Sequence, residues 1–254
     1  MAEVNSNEDV GMSRSMNNGA ASRMNNSVTR STTNGADVSR NIESTRKIPS
    51  REELHNALVS RHKKPVQDKL DNARVAICGL GGLGSHIAIA LARSGVGHLH
   101  LIDFDRVDLT NINRQQYAIE ELDCPKPEAL LKEIRRFAPY IDITTDYVKM
   151  TEANITALLE TEEYVCEAFD DAEQKAMLTN YILENIPEKI LVGASGMAGF
   201  GKSNEITTRK IMKNYYLCGD GISENNEECG LMSPRVMICA GHQANKIIEL
   251  IVQG

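Results

Sequence analysis

The sequence predicts a doubly wound α/β fold with a mostly parallel sheet. Three observations carry that expectation. Apolar runs of strand length alternate with helix-length amphipathic segments from residue 74 onward. A glycine-rich hexapeptide, GLGGLG, joins the first such strand to the first such helix. An acidic residue, Asp103, closes the second strand 19 residues after the last of those glycines.

Taken in order, residues 1–50 come first. They hold eight Asn, nine Ser and four Thr but no Leu and no aromatic residue. Such a segment cannot bury enough apolar surface to offset about 1–2 kcal/mol of backbone entropy per residue, so it is expected to be a disordered tail. The domain is expected over 51–254. It opens with a short amphipathic helix, REELHNALVSRH, at 51–62. Strand RVAIC (74–78) leads through the glycines to helix SHIAIALARSG (85–95), then to strand HLHLID (98–103). Helix KPEALLKEIRRF (126–137) and strand IDITTDYV (141–148) follow, then helix TEANITALLE (151–160) and strand YVCEAF (164–169). Helix 172–185, strand 189–195 and a final helix at 234–253 complete the pattern. Residues 199–230 lack a helical period and read as irregular strands and a loop, with DGISENNEECG as the most mobile stretch.

Composition narrows the function. Lys and Arg total 28 against 35 Asp and Glu, a net charge of −7. A chain that tracks nucleic-acid phosphates needs the opposite excess, so nucleic acid is not the expected partner. No apolar run reaches the roughly 18 residues of a membrane span, and the start lacks the apolar stretch of a secretory signal. None of the six cysteines forms a C-x-x-C pair. The expectation is a reducing, cytoplasmic protein without a disulfide framework.

The glycine motif is expected to bind a nucleotide. Gly79 permits a tight turn, Gly81 lets a phosphate approach the backbone, and Gly84 lets the helix pack closely. The helix then aims its first amides at that phosphate. Asp103 stands where a ribose-binding carboxylate belongs. The segment that follows, DFDRVDLTNINRQQY with Lys126 soon after, is dense in donors and cations: Asn111, Asn113, Arg114, Gln115, Gln116. A nicotinamide cofactor has no need of these. A triphosphate does, because its charge requires fixed cations.

Together, GLGGLGSHIAIALARSGVG, LIDFDRVDLTNINRQQY, Lys126, EAFD at 167–170, FDDAEQKAML and GLMSPRVMICAGHQAN resemble the ThiF/MoeB adenylyltransferases, bacterial relatives of ubiquitin-activating enzymes, over about residues 51–254. The shorter ThiF type is the better match. The resemblance implies an enzyme, an adenylyltransferase using ATP and Mg²⁺, with Gly79, Gly81 and Gly82 along the phosphates and Asp103 on the ribose. It implies that Asn111, Arg114 and Gln115 form the N-x-x-RQ triplet, that Arg114 and Lys126 act on the phosphates, and that Asp170 organises Mg²⁺. It also implies a homodimer in which an N-terminal arginine reaches the partner's γ-phosphate. Arg61 is the candidate and Arg51 the alternative. The implied substrate is the C-terminal glycine of a small ubiquitin-like sulfur carrier of the ThiS kind, in thiamin-type sulfur transfer.

Two departures stand out. Larger relatives carry paired C-x-x-C motifs for structural zinc; this chain has none, so no zinc is expected. Relatives of the thiamin type use a mobile-loop cysteine, and Cys218 or Cys229 could serve, although a buried free thiol is the preferred reading. Competing functions are an NAD-dependent dehydrogenase, a catalytically silent partner subunit, and ATP-dependent activation of a tRNA-borne carboxylate. GMAGFGKS at 196–203 also fits the phosphate loop G-x-x-x-x-G-K-S, but NEITTRK after it lacks an apolar helical face. His86 and His242 lack metal-ligand spacing and read as packed or solvated side chains.

Overall fold

In the computed structural model, which describes residues 48–224 and 230–254, the chain forms seven α-helices and seven strands among those residues. Pro49–Gly254 make one compact unit. The tail read at 1–50 lies outside the described residues up to position 47, as do Cys229 and part of the DGISENNEECG stretch.

Helix α1 (Arg51–His62) starts at Ser50, whose hydroxyl accepts from Glu53 N while the Glu53 carboxylate accepts from Ser50 N, a reciprocal cap. Lys63, at φ +73°, separates it from α2 (Lys64–Asn72). Helix α2 was not anticipated. It is short, and only Gln67 and Leu70 of it are buried, so its apolar period is too sparse to register. Then come β1 (Arg74–Cys78), α3 (Gly82–Arg93) and β2 (His98–Asp103), which is buried throughout. Next are α4 (Lys126–Arg135), β3 (Asp142–Tyr147), α5 (Ile155–Leu158), β4 (Tyr164–Glu167), α6 (Ala172–Asn185) and β5 (Ile190–Ala194). Finally β6 (Thr207–Met212) and β7 (Tyr215–Gly219) precede α7 (Ser233–Gln253).

Two other expectations need correction. The helix read at 151–160 shrinks to the four residues of α5, because the Asn154 side chain accepts from Thr151 N and donates to Lys149 O, holding a turn instead. The irregular region contains an ordered antiparallel hairpin, β6 with β7.

The strand order is β3-β2-β1-β4-β5-β7-β6. All neighbours are parallel except the last pair. One face buries Ile87 and Leu91 of α3, Leu130 and Ile134 of α4, and Val236 and Ile247 of α7. The other buries Ile155 of α5 with Leu178 and Ile182 of α6. Gln243 of α7 is fully buried and donates to Glu167 O at 2.9 Å and Val192 O at 3.1 Å, pinning the last helix across β4 and β5. The chain runs outward in opposite directions from β1 and β4. That reversal opens a crevice beyond their C-terminal ends, the place where open α/β sheets hold ligands. No helix among the described residues is long and apolar enough to cross a membrane.

Candidate active site

The crevice is a cleft of about 630 Å³. Its floor is the turn after β1. Gly79 sits at φ +92°, and a Cβ there would lie 2.9 Å from the Ala168 backbone. Only glycine lets the β1 and β4 turns touch so closely. A Cβ on Gly84 would fall 1.8 Å from Gly79 O, so the third glycine of the motif is what lets α3 begin directly on the turn. Helix α3 begins at Gly82, earlier than the 85 expected. Its free first amides thus come from the glycine turn itself.

Asp103 closes β2 and is buried. Its carboxylate accepts from Leu80 N at 2.5 Å and Asp105 N at 2.7 Å, so it braces the glycine turn from behind. Burial raises its pKa, with the nearby Lys126 charge and the two amides acting in the opposite sense. Lys126 is the first residue of α4; it is buried, and its ammonium meets Asp105 Oδ2 at 2.8 Å. Arg114 reaches the cleft from the loop after β2, its guanidinium donating to Thr110 O and Asn113 Oδ1, each at 2.9 Å. Asp170 comes from the turn after β4, beside Asp171, which caps α6 by accepting from Gln174 N at 2.8 Å.

The structure therefore brings Gly79, Gly81, Gly82, Asp103, Arg114, Lys126 and Asp170 into one cleft. Asn111, Gln115 and Arg61 are not among its lining. The Asn111 side chain instead accepts from Asp108 N at 3.1 Å and closes a capped 3-10 turn, which shapes the Arg114 loop. Gln115 is buried behind Gly81, with its Oε1 unpartnered. Arg61 lies exposed in the last turn of α1. Arg51, the alternative, is committed elsewhere, donating to Tyr140 O at 2.8 Å.

Sequence reasoning missed several lining residues. Lys149 stands with its ammonium 5.5 Å from the centre of the Phe104 ring. Lys175 of α6 pairs with buried Glu167 at 3.0 Å and donates to Ala194 O at 3.0 Å. Phe104, Phe169 and Met197 add apolar wall. Of these, Phe104 was within reach of the motif, being the residue after Asp103. Lys149 and Lys175 are isolated lysines with no sequence signal to single them out.

The phosphate-loop alternative is excluded by geometry. Lys202 is at φ +47°, exposed, and opens a 3-10 turn (Ser203–Glu205), with no helix to present amides. Cys218 is fully buried on β7, 3.4 Å from Thr208 Oγ1, and burial raises its thiol pKa. A thiol so placed is not a nucleophile in this geometry. Among the described residues no three His, Cys, Asp or Glu side chains converge as a metal-holding group.

Comparison with known proteins follows the same outline. The ThiF family profile matches residues 54–254. The tRNA threonylcarbamoyladenosine dehydratase of Escherichia coli is 34% identical over 124 residues, 48% of this chain and 46% of that protein. The molybdopterin-synthase adenylyltransferase of E. coli is 29% identical over 183 residues, 70% of this chain and 72% of that protein. The chain thus spans about half the length of the dehydratases it matches. The crystal structure of the E. coli dehydratase in complex with ATP superimposes with a TM-score of 0.72 at 20% identity, over 82% of this chain and 98% of the other, a likeness of fold.

Proposed function

Because the chain belongs to the ThiF family, whose matched relatives include adenylyltransferases, we propose that its cleft binds ATP and adenylates a carboxylate. The observation that supports this most directly is the convergence of the glycine turn, Arg114, Lys126 and Asp170 at one end of the sheet. The cleft volume falls within the range of about 300–1,000 Å³ usual for small-molecule sites. We assign the ribose hydroxyls to Asp103, whose two oxygens each keep a lone pair beside the Leu80 and Asp105 amides, and Phe104 and Phe169 offer aromatic surface for the base.

In the proposed step a carboxylate oxygen attacks the α-phosphorus. The bond from that phosphorus to the bridging oxygen breaks, giving an acyl-adenylate and pyrophosphate. No side-chain nucleophile is required. Negative charge grows on the departing pyrophosphate, and Arg114 and Lys126 stabilise it as fixed cations in a partly dry cleft. Asp105 holds the Lys126 ammonium in place and prevents it from folding away. The residues fit a Mg²⁺ ion, which needs only one or two carboxylates plus phosphate oxygens and water, and Asp170 is the carboxylate to hold it. When bound, the ion would supply further charge neutralisation at the phosphates.

The acceptor we favour is the C-terminal glycine of a small ubiquitin-like sulfur carrier of the ThiS kind, since a glycine-ended tail can thread a narrow cleft. Arg61, exposed and outside the cleft of its own chain, is proposed to act across a homodimer. A second reading, activation of a tRNA-borne carboxylate, has the likeness to the dehydratase in its favour and the net charge of −7 against it. ATP–pyrophosphate exchange with purified carrier proteins in one arm and tRNA in the other separates them. Carrier-dependent exchange is expected; exchange dependent only on tRNA would replace the carrier reading. NAD binding by calorimetry in place of Mg-ATP would sink adenylation altogether.

A further inference from the structure

We infer that His86, held as the neutral tautomer with its proton on Nε2, is a positioning residue that clamps the Arg114 loop onto the glycine turn. The inference rests on the adenylation reading only for its kinetic consequence; the tautomer and the clamp stand on geometry alone.

Arg114 has few ties that fix it relative to the glycine turn. Its guanidinium bonds to Thr110 O and Asn113 Oδ1, and its amide donates to Asn111 O, all within its own loop. These bonds shape the loop without saying where it sits. The anchoring comes from consecutive residues in the first turn and a half of α3. Ser85 Oγ donates to Gly81 O at 2.7 Å and accepts from Gln116 N at 3.2 Å. His86 Nε2 lies 3.1 Å from Arg114 O, and His86 Nδ1 lies 2.9 Å from Gln116 Nε2. Tyr117 adds a bond from its hydroxyl to Leu80 O at 2.7 Å.

The protonation state follows from the partners. A backbone carbonyl can only accept, so His86 Nε2 must carry a proton. The Gln116 amide nitrogen donates, so Nδ1 must be bare. One neutral imidazole satisfies both. Burial lowers the His86 pKa, outweighing the opposing bond to Arg114 O, in keeping with that form. The ring does not line the cleft, so His86 does not touch a nucleotide; it acts through Arg114. An error of an ångström in a charge-stabilising group is enough to cost a large part of its effect on the rate.

The test uses the full chain. Long-range proton–nitrogen spectra of histidine-labelled protein near neutral pH, with His86→Gln removing the one signal set, should show His86 as the Nε2–H tautomer. An Nδ1–H tautomer, or the averaged pattern of a free imidazole, would overturn the inference. In exchange kinetics His86→Ala should lose about tenfold in turnover, the size expected from losing a pair of half-buried hydrogen bonds. His86→Gln, which can both donate and accept, should recover most of that. The variant His86→Ala/Arg114→Ala should be no slower than Arg114→Ala alone, because one residue works through the other. Additive losses, or no recovery by a His86→Gln protein that melts like the parent, would count against the clamp. If the parent shows no exchange at all, the adenylation reading fails, and the tautomer measurement still decides the clamp.

Discussion

Lys126 illustrates how one side chain can combine a proposed catalytic role with a structural one. The residue is 5% exposed and lines the cleft, and its ammonium is held by Asp105. Removing it leaves Asp105 half-exposed and able to hydrate, so the fold should tolerate Lys126→Ala better than catalysis does. The exchange rate should fall by about 10²–10³, the loss of one preorganised charge-stabilising group, with a smaller change in ATP affinity. Lys202→Ala, at the exposed left-handed turn, should be silent in the same assay. A tolerated Lys126→Ala with an inactive Lys202→Ala would move the active site to the other glycine loop. Sequence separated these lysines only through context: a helix should follow a phosphate-loop lysine, and none does. Asp103 was legible from the glycine motif and the apolar strand it closes, Arg114 from the donor-dense run that follows, and Asp170 only through the family resemblance of EAFD. Lys149 and Lys175 were not, because only the folded backbone brings them to the cleft.

Among elements, the start of α7 is tied to the far end of β7 by a buried ion pair. Arg235 donates to Asp220 and also to Gly201 O and Lys202 O, at 2.6 and 3.0 Å, so it fixes the 199–202 loop as well. Burial would raise the Asp220 pKa, yet backbone amides of Ser223 and Ile222 and the Arg235 guanidinium hold it at about 2. The sign of the linkage is therefore that of a depressed carboxylate. Its stabilisation is complete above the unfolded value near 4 and is lost as pH falls toward 2. Asp220→Asn should flatten the acid limb of a stability-against-pH curve in that window, read by urea unfolding. Arg235→Ala should cost about 1–3 kcal/mol, because Asp220 loses its cation but keeps the Ile222 and Ser223 amides. This element junction was opaque in sequence. Asp220 and Arg235 are separated by a polar loop with no period, and neither the β6–β7 hairpin nor α2 presents a long apolar face. The helices that were legible are α1, found at the expected 51–62, and α3, α4, α6 and α7, all of ten or more residues, the last four packing against the sheet.

For the whole molecule, the proposed dimer makes a prediction that no single-chain property can imitate. Arg61→Ala and Asp170→Ala proteins should each be poorly active. Mixed under conditions that exchange subunits, they should recover activity, because one class of hybrid site carries neither change. No recovery, or a monomer by light scattering, would remove Arg61 from the mechanism. The sheet itself carries another implication. Its two borders are β3 and β6. On β3, Asp142 and Asp146 are engaged by His98 and His100 of β2, at 2.8 and 2.7 Å. On β6, Arg209 and Lys210 are exposed, and the pairing slips register between Lys210 and Met212. Charge and irregularity on border strands oppose the docking of a further strand. An extended peptide therefore gains little from lying along this sheet. If the proposed carrier is the substrate, its tail is expected to enter end-on, tip first, and to be measured by the loops at the mouth of the cleft.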